Sequence, residues 1–225
     1  LMMSLMDSSI QFVLCRHEQA AAFIADVYGR LTGKAGVCLA TLGPGATNLV
    51  TGLADANMDR APVVAIIGQG STKRLHKENH QNMDAIAMVK PITKWAQSIV
   101  DEETIPEVVR KAFKLAEAEK PGVCVIELPE DVAKQQVRGR PMNVYKTRRP
   151  AADHKAIAQA VNVITHAKRP IILAGNGAVR KRAAKQLRRL AHKTGIPVVN
   201  TFMGKGSVPM DDKHCLFTMG LQSKD

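Results

Sequence analysis

Short apolar runs alternate with helix-length segments along most of this chain, and this alternation constrains its fold more than any other feature. The apolar runs are nearly continuous, as in strands of a parallel sheet that helices cover on both faces. The predicted strands are 10–15, 37–41, 62–67, 96–100, 123–128, 170–174 and 196–201. The predicted helices are 17–31, 46–57, 83–89, 105–119, 153–166 and 179–193. The sequence therefore predicts an α/β fold with helices on both faces of a parallel sheet.

Two of these helices carry apolar side chains at spacings that predict a packed face. In helix 17–31 the predicted face consists of Ala20, Ala21, Phe23, Ile24, Val27 and Tyr28. In helix 179–193 it consists of Val179, Ala183, Leu187 and Leu190, with basic side chains around the rest. Gly33 follows the first of these helices at a position that favours its termination.

The charge of the chain is distributed unevenly. The net charge is +12, but residues 1–137 hold 14 basic and 16 acidic groups, whereas 138–225 hold 18 basic and 4 acidic groups. Residues 138–152 are basic, contain two prolines and lack periodicity, which is typical of a linker. We predict a first domain at 1–137, a linker at 138–152 and a partial second domain at 153–225.

The basic excess raises the hypothesis of nucleic-acid binding. Most of it lies on the linker and on the segment Arg180–Arg189, and a solvated or interface helix face explains the charge of that segment better. Only 4% of the residues are aromatic, and we find no nucleic-acid recognition motif. We therefore expect no nucleic-acid partner.

Several features bear on localisation and metals. No apolar stretch approaches the ~18 residues that a membrane span requires, and the start lacks a signal peptide. Cys15, Cys38 and Cys124 lie in apolar runs, which favours reduced thiols in a cytoplasmic protein. No second ligand stands at metal spacing, so we expect no metal ligands in this chain. The chain begins as if inside a helix, which suggests a fragment.

The first candidate motif is Arg16-His17-Glu18, at a predicted strand-to-helix junction. A carboxylate there lies at the carboxyl end of a parallel strand, where open α/β sheets form their ligand crevices. It also lies in the first helical turn, where the helix dipole favours an anion. The alternative is that Glu18 only caps its helix.

The second motif is Thr41-Leu42-Gly43-Pro44-Gly45-Ala46-Thr47-Asn48, between a strand and a helix. Its glycines allow close approach of the backbone, and the helix that follows offers free N–H groups. It matches neither a Walker loop nor the GxGxxG spacing. A plain tight turn therefore remains an alternative to a ligand-binding loop.

Two further loops are candidates. In His76-Lys77-Glu78-Asn79-His80-Gln81, the pattern favours a solvated loop for His76 and Lys77, whereas His80 and Gln81 precede an apolar helix and are expected to face a cleft. The segment Gly175-Asn176-Gly177-Ala178 follows an apolar strand, and it either binds a nucleotide phosphate or only turns the chain.

In order, these pieces are more specific than any one of them. The segments RHEQAAAFIADVYGRLTGKAGVCLATLGPGATNLVTGLADANMDRAPVVAIIGQ, HQNMDAIAMVKPITKW and EKPGVCVIELPEDV resemble the acetolactate synthase branch of the thiamine-diphosphate enzymes. The segments RPIILAGNGAVR and IPVVNTFMGKGSVP resemble the start of that family's middle domain. The resemblance implies that 1–137 is a pyrimidine-binding domain without its first strand and that 153–225 is part of a middle domain.

The resemblance also implies roles for individual residues. Glu18 would hydrogen-bond the aminopyrimidine ring of thiamine diphosphate and favour the imino tautomer that activates the cofactor. Gln81 would lie near the reactive carbon, beside His80. The implied catalytic residues are Glu18, His80 and Gln81, and the implied cofactor-binding residues are Glu18, Gly43, Pro44, Gly45, Asn48 and Gln81. The implied reaction condenses two pyruvates to 2-acetolactate and CO₂, in branched-chain amino acid or acetoin metabolism.

Some residues distinguish branches of the family. Flavin-containing biosynthetic synthases usually carry Phe at the position of His80 and Lys at that of Glu130, so this chain is more similar to the flavin-independent catabolic type. Whether FAD binds stays open. Glyoxylate carboligases carry an apolar residue at the position of Glu18, which argues against that relative.

The resemblance implies a protein larger than this chain. The GDG…N segment that holds Mg²⁺ and the diphosphate is absent, so the metal ligands would lie elsewhere and the chain alone should be inactive. Active sites between subunits imply a homodimer or tetramer. Three alternatives remain: another thiamine-diphosphate decarboxylase or carboligase, a non-catalytic truncated dimerisation partner, and a nucleic-acid-binding protein.

Overall fold

The structure, a computed structural model, describes residues 1–145 and 150–220. The chain divides into two compact units, Leu1–Thr147 and Arg148–Asp225. This division lies inside the predicted linker, of which residues 146–149 lie outside the described residues; the predicted domain bounds stay a prediction. Within the described ranges, no helix is long and apolar enough to cross a membrane.

The first unit is built on a parallel sheet whose strands follow the order β1-β2-β4-β3. Its strands are β1 (Gly36–Ala40), β2 (Val63–Gln69), β3 (Trp95–Ser98) and β4 (Val123–Pro129). Its helices are α1 (Met2–Met6), α2 (Glu18–Thr32), α3 (Pro44–Met58), α4 (Ala85–Val89), α5 (Ile105–Glu117) and α6 (Glu130–Ala133). Most of these bounds lie within two residues of the predicted ones, because the apolar runs are flanked by clear glycine and proline breaks.

Both faces of this sheet are covered, which confirms the predicted fold class. On one face α2, α3 and α4 pack on the sheet, with Leu49, Leu53 and Val89 fully buried. On the other face α5 packs through Ala112 and Ala116. The strand residues alternate between these two cores, so the central strands β2 and β4 are buried on both sides.

Helix α2 packs through a different face from the predicted one. Its buried residues are Ala22, Ala25, Asp26 and Gly29, whereas Ile24, Val27 and Tyr28 are about half exposed. The predicted face was wrong for these three residues, whereas Ala21 does pack against the core. Close helix–helix approach selects small side chains rather than large apolar ones. Residue Gly52 of α3 shows how close this is: a Cβ at Gly52 would lie 2.6 Å from Ala22 Cβ.

An ion-pair cluster also joins α2 to α3. The guanidinium of Arg30 contacts the carboxylates of Asp26, Asp55 and Asp59 at 2.7, 2.9 and 2.7 Å. Asp26 is buried on α2, and the other two belong to the end of α3 and its cap. A buried carboxylate is tolerated when it is paired and hydrogen-bonded, so this cluster accounts for the one acidic side chain in the small-residue face.

The predicted strand at 10–15 was wrong. These residues are irregular, and Ile10, Phe12, Val13 and Leu14 are 47–85% exposed. A strand requires a hydrogen-bonded neighbour, and among the described residues the edge strand β1 pairs only with β2. An apolar run predicts a strand only where a neighbouring strand exists.

The second unit contains a parallel sheet in the order β5-β6-β7. Its elements are α7 (His154–His166), β5 (Ile172–Ala174), α8 (Lys181–Thr194), β6 (Val198–Asn200) and β7 (Cys215–Thr218). Strand β7 was not predicted, because it has only four residues and they are largely exposed. Its register with β6 is irregular. The other elements lie close to the predicted positions.

The packed face of α8 is rotated from the predicted one. Ala184 and Ala191 are buried and Leu187 packs beside them, whereas Ala183 is exposed and Val179 and Leu190 are about 40% exposed. Val179 lies in a short 3-10 turn before the helix, so its side chain does not continue the helical stripe. The prediction started the helix too early and shifted the face by one position.

We predict that Gly52→Ala destabilises the first unit by about 1–3 kcal/mol, the usual range for an overpacked core. An Ala in a helix interior normally gains about 1 kcal/mol over Gly, so the expected sign is reversed by the contact with Ala22. The control is Thr51→Ala at the adjacent exposed position of α3, which should be neutral or stabilising by a few tenths of a kcal/mol. Urea unfolding measures both, and a Gly52→Ala chain as stable as the parent would contradict the close packing.

Candidate functional site

Glu18 lies at the first residue of α2, and its carboxylate is directed to α3. Its Oε2 accepts a hydrogen bond of 3.0 Å from Asn48 Nδ2. The cap of α2 is supplied by the preceding residue, since His17 Nδ1 accepts from the backbone N–H of Gln19 at 3.1 Å. The carboxylate of Glu18 therefore serves a contact between helices, which disfavours the alternative that it only caps its own helix.

The other carboxylate oxygen of Glu18 lies beside Gly45. A Cβ built at Gly45 would lie 3.5 Å from Glu18 Oε1 and 2.7 Å from Thr41 Cγ2. The absent side chain lets Thr41 and Glu18 approach the start of α3 closely.

The carboxylate of Glu18 is in its ionised form at neutral pH. The hydrogen bond from Asn48 is the largest cause that lowers the pKa of Glu18, followed by a bond from its own backbone N–H. Partial burial opposes this effect, and the nearby His17 assists it. Glu18 therefore presents a hydrogen-bond acceptor rather than a donor.

The environment of Glu18 differs from the predicted one. Residues 10–15 form no strand, so Glu18 follows an irregular segment rather than a strand end. Its side chain is only partly buried among the described residues, as expected for neither a core residue nor a fully exposed cap. The closeness of α2 and α3, not a strand end, positions this carboxylate.

The turn before α3 brings a second predicted residue to the same helix end. Gly43 is buried and has φ of 59°, and a Cβ there would lie 2.6 Å from the Cβ of Gln81. Gln81 itself has a backbone φ of 58°, a conformation that residues other than glycine rarely adopt. The backbone of Gln81 thus lies against the Gly43 turn, while its side chain is exposed.

His80 and Pro44 are also exposed. His80 lines a cavity of about 340 Å³ together with Leu42, Arg74 and Glu130, among other residues. Pro44 occupies the first turn of α3, where its missing N–H leaves no donor unsatisfied. The structure therefore groups Glu18, Gly45 and Asn48 on one side of the α3 start, with Gln81 against Gly43.

A set of buried polar residues near this site was missed by the sequence analysis. Gln69, at the end of β2, donates through Nε2 to Glu127 Oε1 and to the Met83 carbonyl, each at 2.9 Å. The exposed fractions of Gln69 and Glu127 are 6% and 4%. A lone Glu in the buried run Val123–Pro129 was the available signal, because a charged side chain in such a strand requires partners.

The Gly175–Ala178 segment lies in the second unit at the end of β5. It forms a short 3-10 turn at Asn176–Val179. The backbone N–H of Thr201 donates to the Ala174 carbonyl at 2.9 Å, which places the end of β6 beside this turn. This contact accounts for a turn, and the phosphate-binding interpretation stays a prediction.

Comparison with known proteins agrees with the resemblance of the sequence. Residues 1–88 match the model of the thiamine pyrophosphate enzyme N-terminal TPP binding domain, and residues 157–225 match that of the thiamine pyrophosphate enzyme central domain. Both models describe domains of the same group of enzymes, and together they span most of the chain.

Curated relatives resemble the chain along nearly its whole length. A probable acetolactate synthase large subunit of Methanocaldococcus jannaschii is 41% identical over 97% of this chain and 38% of its own length. Acetolactate synthase 2 of Nicotiana tabacum is 40% identical over 95% of this chain and 33% of its own length. Glyoxylate carboligase of Escherichia coli O157:H7 is 37% identical over 95% of this chain and 37% of its own length.

The chain thus spans little more than a third of the length of the relatives that it matches. The matched domain models, these relatives and the parallel α/β units agree on one family. The chain belongs to the thiamine pyrophosphate enzymes, and its two matched segments correspond to their N-terminal TPP binding domain and their central domain.

Proposed function

We propose that this chain is part of an acetolactate synthase that binds thiamine diphosphate and condenses two pyruvates to 2-acetolactate with loss of CO₂. The observation that carries the proposal is the Glu18–Asn48 pair beside Gly45. Relatives that are named acetolactate synthases support the reaction type. When bound, thiamine diphosphate supplies the carbon nucleophile that the reaction requires.

The two oxygens of Glu18 have separate tasks in this proposal. Asn48 donates to Oε2 and so fixes the plane of the carboxylate. Oε1, beside Gly45, accepts a hydrogen bond from the aminopyrimidine ring and holds the proton of its ring nitrogen. A charge-assisted bond of this kind is stronger than a neutral one, and a fixed acceptor orients the ring before the reaction begins.

The remaining residues of the site position and select the substrate in this proposal. The backbone of Gln81 rests on Gly43, so its amide can reach a substrate beside the start of α3. The ring of Pro44 offers an exposed apolar surface there. We propose that the Mg²⁺ ligands and the diphosphate-binding groups lie outside this chain, and that the enzyme is cytoplasmic.

Glyoxylate carboligase is the competing activity, because one relative bears that name. The carboxylate at Glu18 favours the synthase, since the resemblance places an apolar residue there in carboligases. His80 and Glu130 favour a flavin-independent, catabolic-type synthase, also through the resemblance. Glu130 is exposed and pairs with Lys134.

We further propose a homo-oligomer, which the outer face of α2 supports. Ile24, Val27, Tyr28 and Leu31 follow helical spacing and are 48–75% exposed. Contiguous exposed apolar side chains of this size mark surfaces that a partner covers. Sedimentation of the intact enzyme should show a dimer or tetramer, and a monomer at micromolar concentration would contradict this assignment.

We predict that Asn48→Leu raises the pKa of Glu18, because it removes the hydrogen bond that contributes most to lowering that pKa. A lowered pKa stabilises the fold above the ordinary pKa of a glutamate, and this stabilisation is lost as the pH falls through the lowered value. As the pH rises from acidic to neutral, the free energy of unfolding of the variant should therefore increase less than that of the parent. A carbon-detected NMR titration of the Glu18 carboxyl measures the shift directly.

The control for this prediction is Thr47→Val in the adjacent residue. Thr47 is exposed, and its hydroxyl donates to the Pro44 carbonyl rather than to Glu18. The pKa of Glu18 should be unchanged in this variant. If Asn48→Leu also leaves the pKa unchanged, Asn48 does not hold the carboxylate.

We predict that Glu18→Gln lowers acetolactate formation by at least about 10²-fold, because an amide cannot hold the ring proton as a carboxylate does. The fold should persist, since Gln keeps the shape of the side chain and can still accept from Asn48. The assay supplies the intact enzyme with pyruvate, thiamine diphosphate and Mg²⁺ and measures 2-acetolactate. The isolated 225-residue chain should give no product.

Glu107→Gln is the matched control, because Glu107 is an exposed carboxylate on α5, on the other face of the sheet. It should retain full activity. A Glu18→Gln enzyme with more than about a tenth of the parent activity would overturn the role of Glu18. An intact parent enzyme that condenses glyoxylate but not pyruvate would instead favour the carboligase.

A further inference from the structure

The segment that carries His80 and Gln81 contains almost no apolar side chains with which to fix itself. It joins β2 to α4 and comprises residues 70–84, here named the β2–α4 loop. Residues 73–81 are all exposed, and Leu75 is the only large apolar side chain among them. Hydrophobic burial therefore cannot hold residues 73–81. At the returning end Met83 packs against the core, and the position of the rest of the loop depends on hydrogen bonds.

The outgoing end of the loop is tied to α6. The backbone N–H and the hydroxyl of Thr72 both donate to the carboxylate of Asp131, at 3.0 and 2.6 Å. These bonds lower the pKa of Asp131 to about 2, so the carboxylate is ionised throughout the physiological range. Within the loop, Asn82 Nδ2 donates to the carbonyls of Leu75 and Lys77, at 3.2 Å each.

The returning end is tied to the sheet by one amide. Gln69 Nε2 donates to the Met83 carbonyl, two residues after Gln81, and also to Glu127. Gln69 Oε1 accepts from the backbone N–H of Gly70 at 2.9 Å. The amide thus uses both of its N–H groups and its oxygen, and its orientation is determined completely.

Glu127 supports this amide from the central strand β4. It is 4% exposed, and burial raises its pKa, while bonds from Ser98 and Gln69 oppose the rise. The negative charge of Asp84 also raises the pKa of Glu127. Burying a carboxyl group lowers the stability of the fold unless hydrogen bonds compensate for the lost water. The presence of Glu127 is accounted for if its bond to Gln69 orients the amide that holds Met83.

We propose that Gln69 is a positioning residue which, supported by Glu127, holds the end of the β2–α4 loop so that Gln81 stays against the Gly43 turn. The link from the buried pair to Gln81 is short, because Met83 is two residues away. Gln81 has a left-handed backbone conformation, which is strained and persists only when its surroundings enforce it. The tether at Met83 and the tether at Thr72 supply that enforcement from both ends.

The test separates the tether from ordinary core stability by comparing a single and a double variant. In the intact enzyme, Gln69→Met removes the tether and also leaves the Glu127 carboxyl without a donor. Gln69→Met with Glu127→Met removes the buried polar pair as a whole, which can restore stability. Neither variant can bond the Met83 carbonyl.

Three measurements are compared: the urea midpoint, hydrogen exchange of the loop amides, and kcat with KM for pyruvate. Gln69→Met should lower the midpoint, raise exchange of the β2–α4 loop about tenfold or more, and reduce kcat more than it raises KM. The double variant should recover the midpoint but keep the fast exchange and the low kcat. Recovery of all three would overturn the proposal, because it would show a purely structural role.

Ser98→Ala is the matched control, since Ser98 bonds the same carboxyl group from strand β3 and belongs to neither end of the loop. It should lower the midpoint without raising loop exchange, and fast exchange in this variant would overturn the proposal.

The kinetic measurement rests on the proposed function, whereas the exchange measurement does not. An enzyme that makes no acetolactate but shows fast loop exchange in both Gln69 variants refutes the function and supports the tether. An active enzyme with unchanged exchange and kcat in those variants refutes the tether and leaves the function standing.

Discussion

The close packing of α2 against α3 determines the geometry of the site. It depends on small residues at the crossing, where Gly52 meets Ala22 with no space for another methyl group. The start of α2 is thereby brought beside the start of α3, and only then can Asn48 reach Glu18 at 3.0 Å. The same crossing directs the large apolar side chains of α2 outward, so one constraint produces both the site and the surface that we assign to a partner.

The parallel sheet supplies the second half of the arrangement. The carboxyl ends of the parallel strands β1, β2 and β4 lie at the same end of the sheet. The segments that follow them therefore meet there: the Gly43 turn, the β2–α4 loop and the start of α6. Residues distant in sequence become neighbours at this end, as Gly43 and Gln81 are. Family membership is shown by the comparisons, whereas the roles of these residues are proposals that rest on the resemblance of the sequence together with this geometry.

Much of the fold could be predicted because apolar runs and glycine or proline breaks are local signals. The strand at 10–15 failed because pairing is not local, and the faces of α2 and α8 failed because the packed residues are mostly alanine and glycine, which hydrophobicity ranks below the leucines and isoleucines nearby. In the site, Glu18 and the Gly43 turn followed from motif and position. The Gln69–Glu127 pair did not, since which polar side chains meet inside a core depends on the sheet register.

The two halves of the site are held by opposite physical means, and the composition of each half explains why. Around Glu18, small apolar residues let two helices approach, and a single hydrogen bond then completes the geometry. Residues 73–81 of the β2–α4 loop have almost no apolar side chains to bury, so they must be fixed by polar contacts whose energy depends on exclusion of water. Gln69 and Glu127 meet that condition because they are buried on the central strands β2 and β4 rather than on the loop. The loop can then stay polar and exposed while hydrogen bonds at Thr72 and Met83 hold its backbone at both ends.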